Sequence, residues 1–184
     1  MDTTNNEVWK ERIGKLAAEL RVQEQELAQA IGLLVIHFNR LEIALGTCLG
    51  DLLEAEDHHT KHALVASMSF GQKLDLLAAL YIEKYKGDEF QRSRCKLAVQ
   101  NMQWFEAERN KYVHSCWGAR TFGDPRYIRV KPQTRGGKGL KVTEEQAMPA
   151  AIIDVCERIR TFCWLDLVEL SRGCVSGQRE GEQS

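Results

Sequence analysis

Residues 25–55 read QELAQAIGLLVIHFNRLEIALGTCLGDLLEA, and this stretch decides the fold. Leu27, Ile31, Leu34, Phe38, Leu41, Leu45, Cys48 and Leu52 recur at alternating spacings of four and three, the period of one helix face. Further apolar residues at Leu33, Val35, Ile36, Ile43, Leu49 and Leu53 widen the stripe well beyond a two-helix seam. A helix so broadly apolar must be covered by several neighbours, so it is predicted to be the spine of a bundle. Gly46 and Gly50 each cost about 1 kcal/mol relative to Ala in a helix, which points to close passage of another helix there.

Outward from the spine, the expected fold is all-α: a bundle of four to five helices with a small β-hairpin before the last one. Residues 1–24 are expected to form a helical arm, with Thr4-Asn5-Asn6-Glu7 as a capping box and Trp9, Ile13, Leu16 and Leu20 at helical spacing. Arg21 to Glu26 is charged, either a hinge or a continuation of the helix. Ser69-Phe70-Gly71-Gln72 is a second capping box, opening a helix with Phe70, Leu74, Leu77 and Tyr81 on one face and an end near Gly87. A fourth helix is predicted from about Asp88 to Trp117, with Phe90, Cys95, Ala98, Met102 and Phe105 inward; Gly118 and Gly123-Asp124-Pro125 end it. Alternating side chains over 126–142, broken by Pro132 and Gly136-Gly137, predict an exposed hairpin. The last helix carries Ile152, Cys156, Ile159, Cys163, Leu167 and Leu170 and starts at Thr143-Glu144-Glu145-Gln146 or nearer Pro149. Thus residues 25–172 form the bundle domain, and the polar tail 173–184 is expected to be disordered.

A length of 184 residues accommodates one domain with a substantial core. The net charge of −1 gives no global attraction to nucleic acid or a membrane, so any such site must rest on local charge. No apolar run is expected to approach a membrane span, and the first residues lack the basic and apolar regions of a signal peptide, so a soluble, cytoplasmic protein is expected. Six scattered cysteines (Cys48, Cys95, Cys116, Cys156, Cys163, Cys174) form no C-x-x-C pair and are expected to be reduced, mostly core thiols. There is no P-loop, dinucleotide or nucleophile-elbow signature, and no cofactor is expected. His58 and His62 would share a helix face at i, i+4, but they and His59 fall in an expected connecting loop, and a solvated turn is preferred to a metal site.

Chemistry concentrates in Arg109-Asn110-Lys111-Tyr112-Val113-His114. Arg offers phosphate a planar fork of donors, and an imidazole can take or give a proton near neutral pH. An Arg with a His five residues on is cheap: composition alone yields about 0.4 such pairs in this chain, and requiring Asn, Asp or His after the Arg lowers that to about 0.04. On a straight helix Arg109 lies inside the apolar stripe, and His114 points about 140° away from it, while Asn110 and His114 are neighbours. Either the helix distorts, or a second subunit completes the site. The plain alternative is that Arg109 pairs with a core carboxylate such as Glu42 and His114 is a surface or capping residue. Downstream, residues 118–142 carry seven basic side chains against one acid. Arg120, Arg126, Arg129 and Lys131 could hold an RNA backbone, with Trp117 or Tyr127 stacking on a base; charge that keeps hairpin edges soluble is the alternative.

Late in a long helix of a helical chain, Arg109-Asn110-x-x-x-His114 resembles the signature of HEPN domains. Phe38-x-x-Leu41-Glu42, Phe70-Gly71-Gln72-Lys73 and Trp117 are similar to members of that group, over roughly residues 25–171. The resemblance implies a metal-independent endoribonuclease working as a homodimer, with the two motifs facing each other. His114 would activate the ribose 2′-hydroxyl or protonate the leaving oxygen, Arg109 would steady the phosphate, and Asn110 would position one of them or the RNA. Products would carry 2′,3′-cyclic phosphate and 5′-hydroxyl ends. The same resemblance fits a toxin or defence effector held by an antitoxin or regulatory protein. It also fits a non-catalytic dimer that binds nucleotide, RNA or protein.

Overall fold

The computed structural model describes residues 3–54, 57–120, 126–134 and 140–170. The protein is mostly helical, with one three-stranded antiparallel sheet. In chain order the elements are α1 (Thr3–Leu52), α2 (His58–Val65), α3 (Phe70–Lys84), α4 (Glu89–Val113), β1 (Cys116–Arg120), β2 (Arg126–Thr134), β3 (Leu140–Gln146) and α5 (Pro149–Phe162). A π-helical turn, Cys163–Leu167, continues α5.

The chain divides into two compact units, residues 1–33 with 110–153 and residues 34–109 with 154–184. No break falls at residue 24: α1 is a single helix of 50 residues, so the charged stretch Arg21 to Glu26 continues it rather than forming a hinge. The side chains of Thr4, Asn5 and Asn6 in the expected capping box lie outside the described residues. The predicted tail and the stop at 123–125 fall outside the described residues.

In the second unit, the spine buries Leu34, Phe38, Leu41, Leu45, Cys48, Leu49 and Leu52. Phe70, Leu74, Leu77 and Tyr81 of α3, Cys95, Ala98, Met102 and Phe105 of α4, and Val155, Cys156, Ile159 and Phe162 of α5 complete the core. The Phe38 and Phe70 rings stand 4.8 Å apart and the Phe105 and Phe162 rings 5.5 Å. Phe90, expected inward, is 70% exposed. Gly46 and Gly50 are buried, and Gly46 lines an open cleft with Val65, Ala66 and Lys73. An eighteen-residue window of α1 is long and apolar enough to cross a membrane, which corrects the expectation that no stretch qualifies. One face of this helix, Leu27, Ala30, Leu34, Phe38, Leu41 and Leu45, is buried in the protein.

Local signals explain the helix ends. Ser69 and Gln72 exchange both capping-box bonds, at 2.8 and 3.3 Å. Gly87, at φ +89°, supplies the left-handed residue after α3, and the Asp88 carboxylate accepts from the Gln91 N–H at the start of α4. The stretch expected to be a loop around His58 is instead a short helix, because Asp57 accepts from the N–H groups of His59 and Thr60.

The first unit holds the largest departure. The predicted hairpin is a sheet in order β1-β2-β3, and its first strand takes Cys116 and Trp117 from the expected helix and Gly118 from its expected end. The third strand takes Thr143 to Gln146, the earlier of the two expected starts of the last helix, and the helix opens at the later one, Pro149. Ile128 and Arg129, adjacent on β2, are both buried, so the middle strand is covered on both faces.

Candidate nucleic-acid site at the end of α4

Helix α4 stays regular through the motif. It is α-helical to Val113, and the His114 N–H still donates to the Asn110 carbonyl at 3.2 Å. The inward stripe runs Cys95, Ala98, Met102, Phe105 and Tyr112, all buried, and Arg109 stands half-buried within it. Its guanidinium lies 5.5 Å from the centre of the Phe38 ring, a cation–π arrangement that accommodates a permanent charge beside the core. Glu42, the carboxylate first considered as its partner, bonds to the buried Lys73 at 2.6 Å. Asn110 and His114 are exposed, one helical turn apart.

Beyond Val113 three side chains reach back to the carbonyls that the helix leaves open. The Ser115 hydroxyl donates to the Lys111 carbonyl. The Trp117 indole N–H donates to the Tyr112 carbonyl at 3.1 Å, and the Arg129 guanidinium to the Lys111 carbonyl at 3.4 Å and to Ser115 Oγ at 3.3 Å. A cation at a helix C-terminus also meets the negative end of the helix dipole. These contacts explain why the helix stops here although its sequence continues without Gly or Pro to Trp117.

They also revise the basic surface. Arg129 was a candidate phosphate ligand, but it is 5% exposed and ion-paired with Glu145, so its donors are spent internally. That bond holds the Glu145 carboxyl below its ordinary range against the opposing effect of burial, and the charges of Arg129, Lys111 and Lys131 add to the lowering. Trp117 is half-buried with its N–H engaged. Arg120 lies 3.8 Å from Glu144, and Arg126 donates to the Gln146 side chain at 3.2 Å. Tyr127 donates its backbone N–H to Gln23, while burial and a bond to Glu24 push its hydroxyl pKa up. Lys131 is exposed. Arg135 and Lys138 lie outside the described residues.

Glu144 and Glu145, the carboxylates that temper this surface, lie in one of the two stretches that could open the last helix by sequence. By sequence the alternation through Leu140, Lys141, Val142 and Thr143 stops at the polar run Glu144-Glu145-Gln146, and only the register sets Glu145 opposite Arg129 and Glu144 opposite Val130. Among the described residues no group of three His, Cys, Asp or Glu side chains could hold a metal ion, and His59 is exposed. No family model, no characterised protein and no solved structure matches this chain. The HEPN resemblance therefore rests on the motif and the helices that carry it.

Proposed function

We propose that the chain is a metal-independent endoribonuclease of HEPN type whose site is completed by a second copy. The observation that carries this reading is the regular course of α4, which presents Asn110 and His114 together on an exposed turn and leaves Arg109 over Phe38 on a different face. With no distortion of the helix, one chain does not aim His114 and Arg109 at one atom, and a twofold pair of chains supplies what each lacks. In the reaction the ribose 2′-oxygen attacks the adjacent phosphorus, its proton passes to a base, the bond to the 5′-oxygen breaks, and that oxygen takes up a proton. His114 serves as base or acid, Arg109 offsets phosphate charge, and Asn110 positions the RNA. A positioned acid or base typically contributes about 10²- to 10⁴-fold.

The test is RNA cleavage in EDTA by wild type, His114→Ala, Arg109→Ala and Asn110→Ala, with the product ends identified. His114→Ala is expected to lower the rate by about 10²-fold or more, and 2′,3′-cyclic phosphate ends should accumulate with wild type. Cleavage that survives His114→Ala or Arg109→Ala removes the assignment. A second reading, a non-catalytic dimer that binds RNA, nucleotide or protein, is favoured by the internal engagement of Arg129 and by the pairing of Arg120 with Glu144. RNA bound but left intact by wild type selects it.

A further inference from the structure

The seven-residue repeat of the spine does not begin at Leu27. It extends back through Leu20 to Ile13, so that Ile13, Leu20, Leu27, Leu34, Leu41 and Cys48 occupy one row of α1. Trp9 and Leu16 alternate with the first members as the second row of a coiled-coil seam. From Leu27 onward this row is buried by the protein's own core. Before it, Trp9 is 57% and Ile13 59% exposed, with Leu16 and Leu20 half-buried. Gln23, the next seam position, accepts a bond from the Tyr127 N–H at 3.0 Å, so the sheet covers the seam from there on. What stays uncovered is a knob-bearing stretch from Trp9 to Leu20 on a helix that is already formed and carries no separate nucleation cost.

We propose that this stretch pairs antiparallel with the same stretch of a second copy. The flanking charges choose both the occupant and the direction. In a parallel pair, Glu19 would face Glu24 of the partner subunit, two like charges at each edge. Turned antiparallel about a centre between Gly14 and Lys15, Trp9 meets Leu20 of the partner subunit and Ile13 meets Leu16 of the partner subunit. Arg12 then stands opposite Glu19 of the partner subunit, and symmetry repeats each contact. Arg12 lies 5.9 Å from the centre of the Trp9 ring, beside the seam, where it can reach across. Gly14 has no heavy atom within 4 Å of where a Cβ would sit, as expected for a position outside the seam. Four apolar layers are fewer than a standard interface offers, so the association is weak and concentration-dependent.

Sedimentation of the full chain, across a concentration series into the high micromolar range, tests the pairing. Wild type is expected to rise about twofold in mass with concentration. Arg12→Glu and Glu19→Arg should each abolish that rise, because each sets like charges opposite one another twice. Mixed one to one, the two variants should recover it, since the two substituted side chains would then face each other with opposite charge and the unaltered Arg12 and Glu19 would pair as before. The recovery also excludes misfolding as the cause of either loss. A wild type with no mass rise, single variants that associate like wild type, a mixture that fails to recover, or a Glu19→Arg chain that associates more tightly would each overturn the proposal. Association through any other face persists in both single variants and serves as the common baseline. Neither residue belongs to the Arg109 to His114 motif, so RNA cleavage and arm pairing fail independently.

Discussion

Arg109 and Arg129 show two ways in which a permanent charge enters apolar surroundings. Arg109 lays its guanidinium over an aromatic ring, whereas Arg129 is buried against Glu145, Ser115 and the Lys111 carbonyl. The second arrangement joins β2 to the end of α4, and it removes from the surface one of the four basic residues expected to hold RNA. The protonation of His37 is linked to stability near neutral pH. Burial is the main cause of its lowered pKa, with the charges of Arg40 and Arg160 adding and that of Glu157 opposing. Below the ordinary value of 6.5 the unfolded chain takes up a proton that the folded protein still refuses, so the unfolded state binds more protons. Stability contributed at this site is therefore complete above pH 6.5 and falls as the pH drops towards the folded value. Urea midpoints from about pH 7.5 down to about 5.5 should decline, and His37→Gln should flatten that decline; an unaltered slope in the variant would assign it to other groups.

Among the elements, the start of α3 is set locally and the end of α4 from a distance. The start of α3 is legible in four residues, because Ser69 and Gln72 satisfy each other's backbone N–H groups without help from elsewhere. Ser69→Ala is expected to destabilise the protein by about 1 kcal/mol, and Ser69→Asp, a good cap itself, by much less; equal losses in denaturant melts would mean that the cap is not the source. The end of α4 is set from outside, by Ser115, Trp117 and Arg129 on its last open carbonyls. A local reading continued that helix to Trp117, since nothing in Lys111 to Trp117 breaks a helix by itself. The same holds for β3. Thr143-Glu144-Glu145-Gln146 has the composition of a helix start and becomes strand through pairing with β2.

For the molecule as a whole, a net charge of −1 leaves RNA affinity to local charge, and part of that charge is already met by Glu144 and Glu145. Exposed Lys131 and half-exposed Arg126 are the described candidates that remain. Replacing either with Gln should lower the slope of log affinity against log salt by about one, whereas Arg129→Gln should change stability rather than slope; a slope that stays fixed in all three variants would end the role of the sheet in RNA binding. The bundle helices, their buried faces, the cap at Ser69 and the place of Arg109 in the apolar stripe were set by the sequence alone. Each depends on contacts within a few residues or on the helical period, which a linear string displays. The end of α4, the third strand, the burial of Arg129 and the uncovered seam from Trp9 to Leu20 were decided only by tertiary structure. They depend on which distant group satisfies a carbonyl, a charge or an apolar face, and separation along the chain carries no record of that.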